Sequence, residues 1–172
     1  MGYAVVLTFD GILEKAVLEI WDQMERLGES LKNWGSMPHI TLAGFQDVDP
    51  EGLENAAQRF SRKIKPINIK FSAFGGFSTE EHVIFLAPDP TIELLNAHQL
   101  FFDELGGLAD QTSYKPGIWI PHTTIAMNVP EKYYSRAFGI CSKLCLPISG
   151  KASGVEIIKF MPIVRFRQYP IS

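Results

Sequence analysis

Two segments of the chain pair an imidazole with a hydroxyl at one spacing: Pro38-His39-Ile40-Thr41-Leu42-Ala43 and Pro121-His122-Thr123-Thr124-Ile125-Ala126. Pro, His, Thr and Ala agree in place, and Leu42 agrees with Ile125 in character. With four histidines and seven threonines in 172 residues, chance gives about 0.16 His-x-Thr pairs, yet two occur in matching context. A lone His-x-Thr would be weak evidence; the matched hexapeptides are not. His82 and His98 have no such company and read as structural or solvent-facing.

These residue types suit phosphodiester chemistry. A neutral imidazole can deprotonate water, and an imidazolium can protonate a departing oxygen. Free histidine titrates near pH 6.5, so both forms are available near neutrality. Threonine hydroxyls can donate hydrogen bonds to non-bridging phosphate oxygens as charge develops there. This scheme calls for no metal and no cofactor.

Strands explain the spacing. Side chains at i and i+2 point to one face, so His39 and Thr41 share a face, with Ala43 expected to continue it. Ile40 and Leu42 then point into apolar packing. The second strand repeats this, with His122, Thr124 and Ala126 set against Thr123, Ile125 and Met127.

The rest of the chain reads as elements able to hold two such strands. Residues 3–9 form a β-rich apolar run closed by Asp10-Gly11. Residues 12–31 carry Val17, Trp21, Met24, Leu27 and Leu31 at helical spacing. Asp49-Pro50 opens a second helix, with Asp as N-cap and Pro at the first turn, and Pro66 stops it. Strands are predicted at 67–74 and 82–86, and a third helix ends at Gly106-Gly107. Residues 109–117 are polar and turn-rich and read as a mobile loop. A strand at 119–127, a helix from Pro130 to about Leu144, and strands near 152–160 and 163–169 complete the chain. A motif strand, an acidic Pro-started helix and two strands thus occur twice, with the motifs 83 residues apart. Duplication of one α+β unit is the simplest architecture.

Composition narrows the partners. With 46% hydrophobic and 20% charged residues, the chain is globular and long enough to bury a core without disulfides. A net charge of −3 argues against tracking along duplex DNA, which favours a basic excess. A nucleotide or an RNA end, with few phosphates to neutralise, stays open. No apolar stretch reaches membrane-spanning length and no signal peptide is indicated, so a cytoplasmic setting is expected. Cys141 and Cys145 are read as reduced thiols on one helix face, without the further ligands a zinc site needs.

The segments PHITLA at 38–43 and PHTTIA at 121–126, with the preceding strand and helix and the FSAFGGF…HVIFLAP hairpin, resemble the 2H phosphoesterase superfamily, also called the 2′-5′ RNA ligase-like or cyclic phosphodiesterase family. The resemblance covers nearly the whole chain. It implies one α+β domain over 1–172, built as two pseudo-symmetric lobes, each an antiparallel sheet with flanking helices, around a central cleft. It implies that His39, Thr41, His122 and Thr124 are the catalytic tetrad. Family activities include opening 2′,3′-cyclic nucleotide ends, hydrolysing ADP-ribose cyclic phosphate, and joining or cleaving 2′-5′ RNA linkages, and the motifs do not choose among them.

Further candidates for substrate contact are Tyr114 and Trp119, which could stack a base, although packing is the expected role of Trp119, and Lys115, which could approach a phosphate, although a loop lysine is usually just solvated. Arg165 and Arg167, on one strand face, could bring positive potential into the cleft, but are rather expected to make an outer sheet face polar. Two readings compete with an enzyme, expected as a monomer. One is a module that binds a nucleotide or RNA end without turnover, for which Arg and Lys would be better chosen than a histidine pair. The other is a metalloprotein using His39 and His122, for which convergent Asp, Glu or Cys ligands are missing.

Overall fold

The computed structural model describes residues 2–25, 27, 31–106, 108, 114–160 and 162–172. In chain order the elements are β1 (Gly2–Phe9), α1 (Gly11–Met24), β2 (His39–Phe45), α2 (Pro50–Lys63), β3 (Ile67–Gly76), β4 (Ile84–Pro88), α3 (Ile92–Leu105), β5 (Thr123–Ala126), α4 (Glu131–Cys141), β6 (Ile148–Phe160) and β7 (Val164–Pro170). The fold is α+β, as expected.

Local chemistry sets the helix starts. Asp10 caps α1, its carboxylate accepting from the Leu13 amide at 2.9 Å while also accepting from the Lys151 amide at 2.9 Å. Asp49 caps α2 ahead of Pro50, and Thr91 caps α3. Gly106 closes α3 with φ 56°, a left-handed conformation that glycine adopts without steric cost.

Some boundaries differ from expectation. The helix expected over 12–31 stops at Met24; Leu31 instead begins a short 3-10 turn, Leu31–Trp34, and both Leu27 and Leu31 remain buried. Apolar residues at helical spacing recorded burial there, not continuous helix. The fourth helix ends at Cys141, so exposed Cys145 lies beyond it and shares no helix face with buried Cys141. His82 opens no strand: its φ of 43° places it in the turn before β4. Of the loop expected over 109–117, residues 109–113 lie outside the described residues.

The strands form one antiparallel path, β2-β1-β6-β3-β4-β5, with β7 also paired to β6. This order contains the duplication. β1-α1-β2-α2-β3 and β4-α3-β5-α4-β6 are the same unit, with matching pairs β1–β2 and β4–β5, and β1–β6 and β4–β3. The β3–β6 pair joins the two lobes at the centre. The motif strands β2 and β5 occupy the two ends of the path, yet lie against each other, so the sheet curls without closing. One core packs the helices against Val5, Leu7, Ile69, Phe71, Ile84, Leu86, Val155 and Ile157. A separate cluster of Ala4, Val6 and Ile158, with Phe160 against it, lies on the face those helices leave uncovered.

Candidate active site

Each motif holds its imidazole in the same way. His39 Nδ1–H donates to the Met37 carbonyl at 2.6 Å, and His122 Nδ1–H donates to the Ile120 carbonyl at 2.7 Å. A carbonyl can only accept, so each neutral ring carries its proton on Nδ1 and leaves Nε2 free as a base. Burial lowers the pKa of both rings below 6.5, against the opposing pull of the carbonyls. For His39 the charge of His122 is a further lowering cause.

His39, Thr41 and Thr124 line one cavity of about 820 Å³. His122 is not among the residues that line it; its ring is packed edge-on to Phe77 at 4.9 Å between centroids and tilted against Phe85 at 5.4 Å. The other walls are mostly apolar, including Ala4, Met37, Ile158 and Phe160. The volume suits a nucleotide-sized ligand.

The alternation expected along both motif strands breaks directly after the threonine. In β2, Thr41 pairs with Val6 and Ala43 with Val5, which leaves Leu42 as an extra residue. In β5, Thr124 pairs with Phe85 and Ala126 with Ile84, which leaves Ile125 extra. A bulge shifts the parity of the residues after it. Ala43 and Ala126, expected to continue the His–Thr face, are therefore buried in the core, and Gly44, Gln46 and Met127 line the cavity instead. Thr123, expected in apolar packing, is buried, but its hydroxyl donates to the His39 carbonyl across the lobes at 2.9 Å.

The remaining candidates divide. Tyr114 lines the cavity, and burial raises its phenol pKa. Trp119 is buried behind it: its indole N–H donates to the Thr41 carbonyl at 3.0 Å and its ring stacks flat on His98, with centroids 3.8 Å apart. No face of Trp119 is left for a base there. Lys115 is exposed and does not line the cavity. Arg165 and Arg167 do not share a face, because a bulge in the β6–β7 pairing sets Arg165 opposite Ile158 and Arg167 opposite Ile157. Arg165 grips buried Glu156 through two bonds of 2.6 and 2.8 Å, and Arg167 reaches across to Glu54 of α2 at 2.9 Å. Both guanidiniums are thus committed to carboxylates. Among the described residues, no group of three His, Cys, Asp or Glu side chains is placed to hold a metal, and no helix is long and apolar enough to cross a membrane.

The profile of the 2′-5′ RNA ligase superfamily matches residues 14–160. The chain belongs to this family, the 2H phosphoesterases. It is 28% identical over 105 residues to a protein of Bacillus licheniformis named as a phosphoesterase, and 27% identical over 104 residues to one of Geobacillus kaustophilus. The first match spans 59% of both chains; the second spans 59% of this chain and 57% of the relative. The chain thus aligns with less than two thirds of these relatives' length. Among solved structures, Escherichia coli LigT complexed with 3′-AMP superposes with a TM-score of 0.65 at 13% identity, covering 99% of this chain and 97% of that one. TT0787 of Thermus thermophilus superposes at 0.62 with 16% identity, covering 99% and 98%. These likenesses show the two-lobed fold of the family.

Proposed function

We propose that this 2H phosphoesterase acts on an RNA-like phosphodiester, a 2′,3′-cyclic phosphate end or a 2′-5′ linkage, with His39 and His122 as a general base and acid pair. The supporting observation is the twin arrangement of the imidazoles. Both are tied by Nδ1 to the carbonyl two residues back, which leaves Nε2 free, and His39, Thr41 and Thr124 line one cavity.

His39 is disfavoured from protonation by burial first and by the His122 charge in addition. Repulsion between the two rings is mutual and disfavours a second proton, so the pair works with one proton, assigned in this scheme to His122 as the acid. In hydrolysis of a cyclic phosphate, His39 Nε2 takes a proton from water, and the oxygen attacks phosphorus. The bond to the ester oxygen breaks, and His122 Nε2–H protonates that oxygen. Run in reverse, the same pair exchanges roles. Thr41 and Thr124 donate to the non-bridging oxygens. The nucleoside rests on the apolar wall of Ala4, Ile158 and Phe160, in a cavity that Tyr114 also lines. That LigT was crystallised with 3′-AMP is in keeping with a nucleotide ligand.

The test is turnover of 2′,3′-cyclic nucleotides, 2′-5′ dinucleotides and ADP-ribose cyclic phosphate with excess chelator present. Turnover that is insensitive to chelator and lost in His39→Ala and His122→Ala is expected. Tight binding of every ligand with turnover of none would leave a binding module. Activity that vanishes with chelator and returns with zinc would refute the mechanism.

A further inference from the structure

β2 and β5 are the end strands of the sheet path, each paired on one side only. Carbonyls along them are taken up by side chains from elsewhere. Thr41 O accepts from the Trp119 indole at 3.0 Å, and Thr124 O accepts from the Trp21 indole at 3.0 Å. Leu42 O, at the bulge, accepts from His98 Nε2 at 3.1 Å, and His39 O accepts from Thr123.

Two of these bonds are reciprocal. Trp21 stands on α1 of the first repeat and holds the threonine of the second. Trp119 stands just before β5 in the second repeat and holds the threonine of the first. The two tryptophans reach their places from different elements, a helix and a loop, yet their N–H groups meet equivalent atoms. Both are buried, and Trp119 is braced by the flat stack on His98, so neither indole is free to swing away. Among the described residues no strand ladder joins β2 to β5; the side-chain bonds bridge them.

We propose that Trp21 and Trp119 are positioning residues, each fixing the other half's His-x-Thr strand so that the two motifs face one phosphate at a set separation. The catalytic meaning rests on the function proposed above; the mechanical meaning does not. Trp21→Phe and Trp119→Phe keep a buried ring and remove the donor. Each is expected to lower kcat by about 10-fold or more, the scale of a sub-ångström misplacement of acting groups, while KM changes less than about 3-fold. The double variant should lose less than the product of the singles, because both act on one separation. Phe60→Leu, in the core of α2, serves as a control for lost packing and should keep wild-type kcat.

A second readout is independent of turnover. His39 and His122 are titrated by NMR in the wild type, in the two tryptophan variants and in His122→Ala. If the clamp sets the separation, His39 in each tryptophan variant should move up towards its value in His122→Ala. A His39 titration unchanged by both substitutions overturns the inference, as does a kcat no lower than that of Phe60→Leu. Should the variants fail to fold, indole N–H exchange in the wild type decides: protection of both Trp21 and Trp119 supports the clamp, and rapid exchange of either overturns it. If the NMR coupling responds but no phosphodiester is turned over, the functional reading fails and the clamp stands.

Discussion

His39 and His122 each bind a backbone carbonyl through Nδ1, and burial depresses both. Four consequences can be measured at this site. Replacing either by Ala should lower kcat about 10²-fold or more, the usual scale for a lost general acid or base. The double substitution should cost little beyond the worse single, because in the proposed mechanism the two act on one phosphate. Thr41→Val and Thr124→Val should each slow turnover by about 10-fold or more through lost transition-state hydrogen bonds, with less change in KM. The sign of the shifts fixes the pH profile. Both rings hold their protons less tightly than free histidine, so in the free enzyme the singly protonated pair is most populated below pH 6.5. The profile of kcat/KM should be a bell with its maximum on the acid side of 6.5, falling through neutrality. A maximum near 8 would refute the assignment.

The motif strands carry a device that alternation cannot show. His39 to Thr41 obeys period two; one residue later Leu42 is extra in the ladder, and in β5 Ile125 is extra at the matching position. Nothing in the types of Leu42 or Ile125 announces a bulge, since both are ordinary buried strand residues. Ala43→Leu tests the parity. Ala43 is 2% exposed in the core, so the larger side chain should overpack it and lower stability by about 1–3 kcal/mol in denaturant unfolding. Were Ala43 on the cavity face, stability would hold and KM would rise instead. The same kind of irregularity separates Arg165 from Arg167, which simple alternation would set on one face. Helix starts were far more legible, because Asp49-Pro50 carries its capping chemistry in adjacent residues.

For the molecule as a whole, burial of histidine makes stability depend on acid. His98 is buried under Trp119 and its pKa is lowered to about 4, by burial first and against its bonds to the Leu42 and Tyr114 backbone. In the unfolded chain it takes a proton near pH 6.5; in the folded chain it resists until about 4. Protons therefore favour unfolding between these values, and the stability present above 6.5 is lost as pH falls towards 4. A loss on the order of 3 kcal/mol is expected from this group. The midpoint in urea should fall across that window, and His98→Gln should flatten the fall. An equally steep fall in the variant would move the cause to other groups. A lone mid-helix histidine such as His98 gives no sign of this in the sequence, because its partners Leu42 and Trp119 stand on distant segments.

The family was legible from the chain alone because its motif resides in residue types at short spacing, written twice. Two imidazoles and two hydroxyls in matched hexapeptides, in a chain without basic excess, already pointed to phosphoester chemistry on a duplicated α+β unit. How those groups are held was not legible. The bulges at Leu42 and Ile125, the cross-lobe bonds from Trp21, Trp119 and Thr123, and the tying of both arginines to Glu156 and Glu54 are pairings between distant segments. Strand register and side-chain partners are settled by what packs across the curled sheet, where β2 meets β5 from opposite ends of the strand order. No local pattern encodes that meeting, because neither strand has the other's residues within its own neighbourhood of the chain.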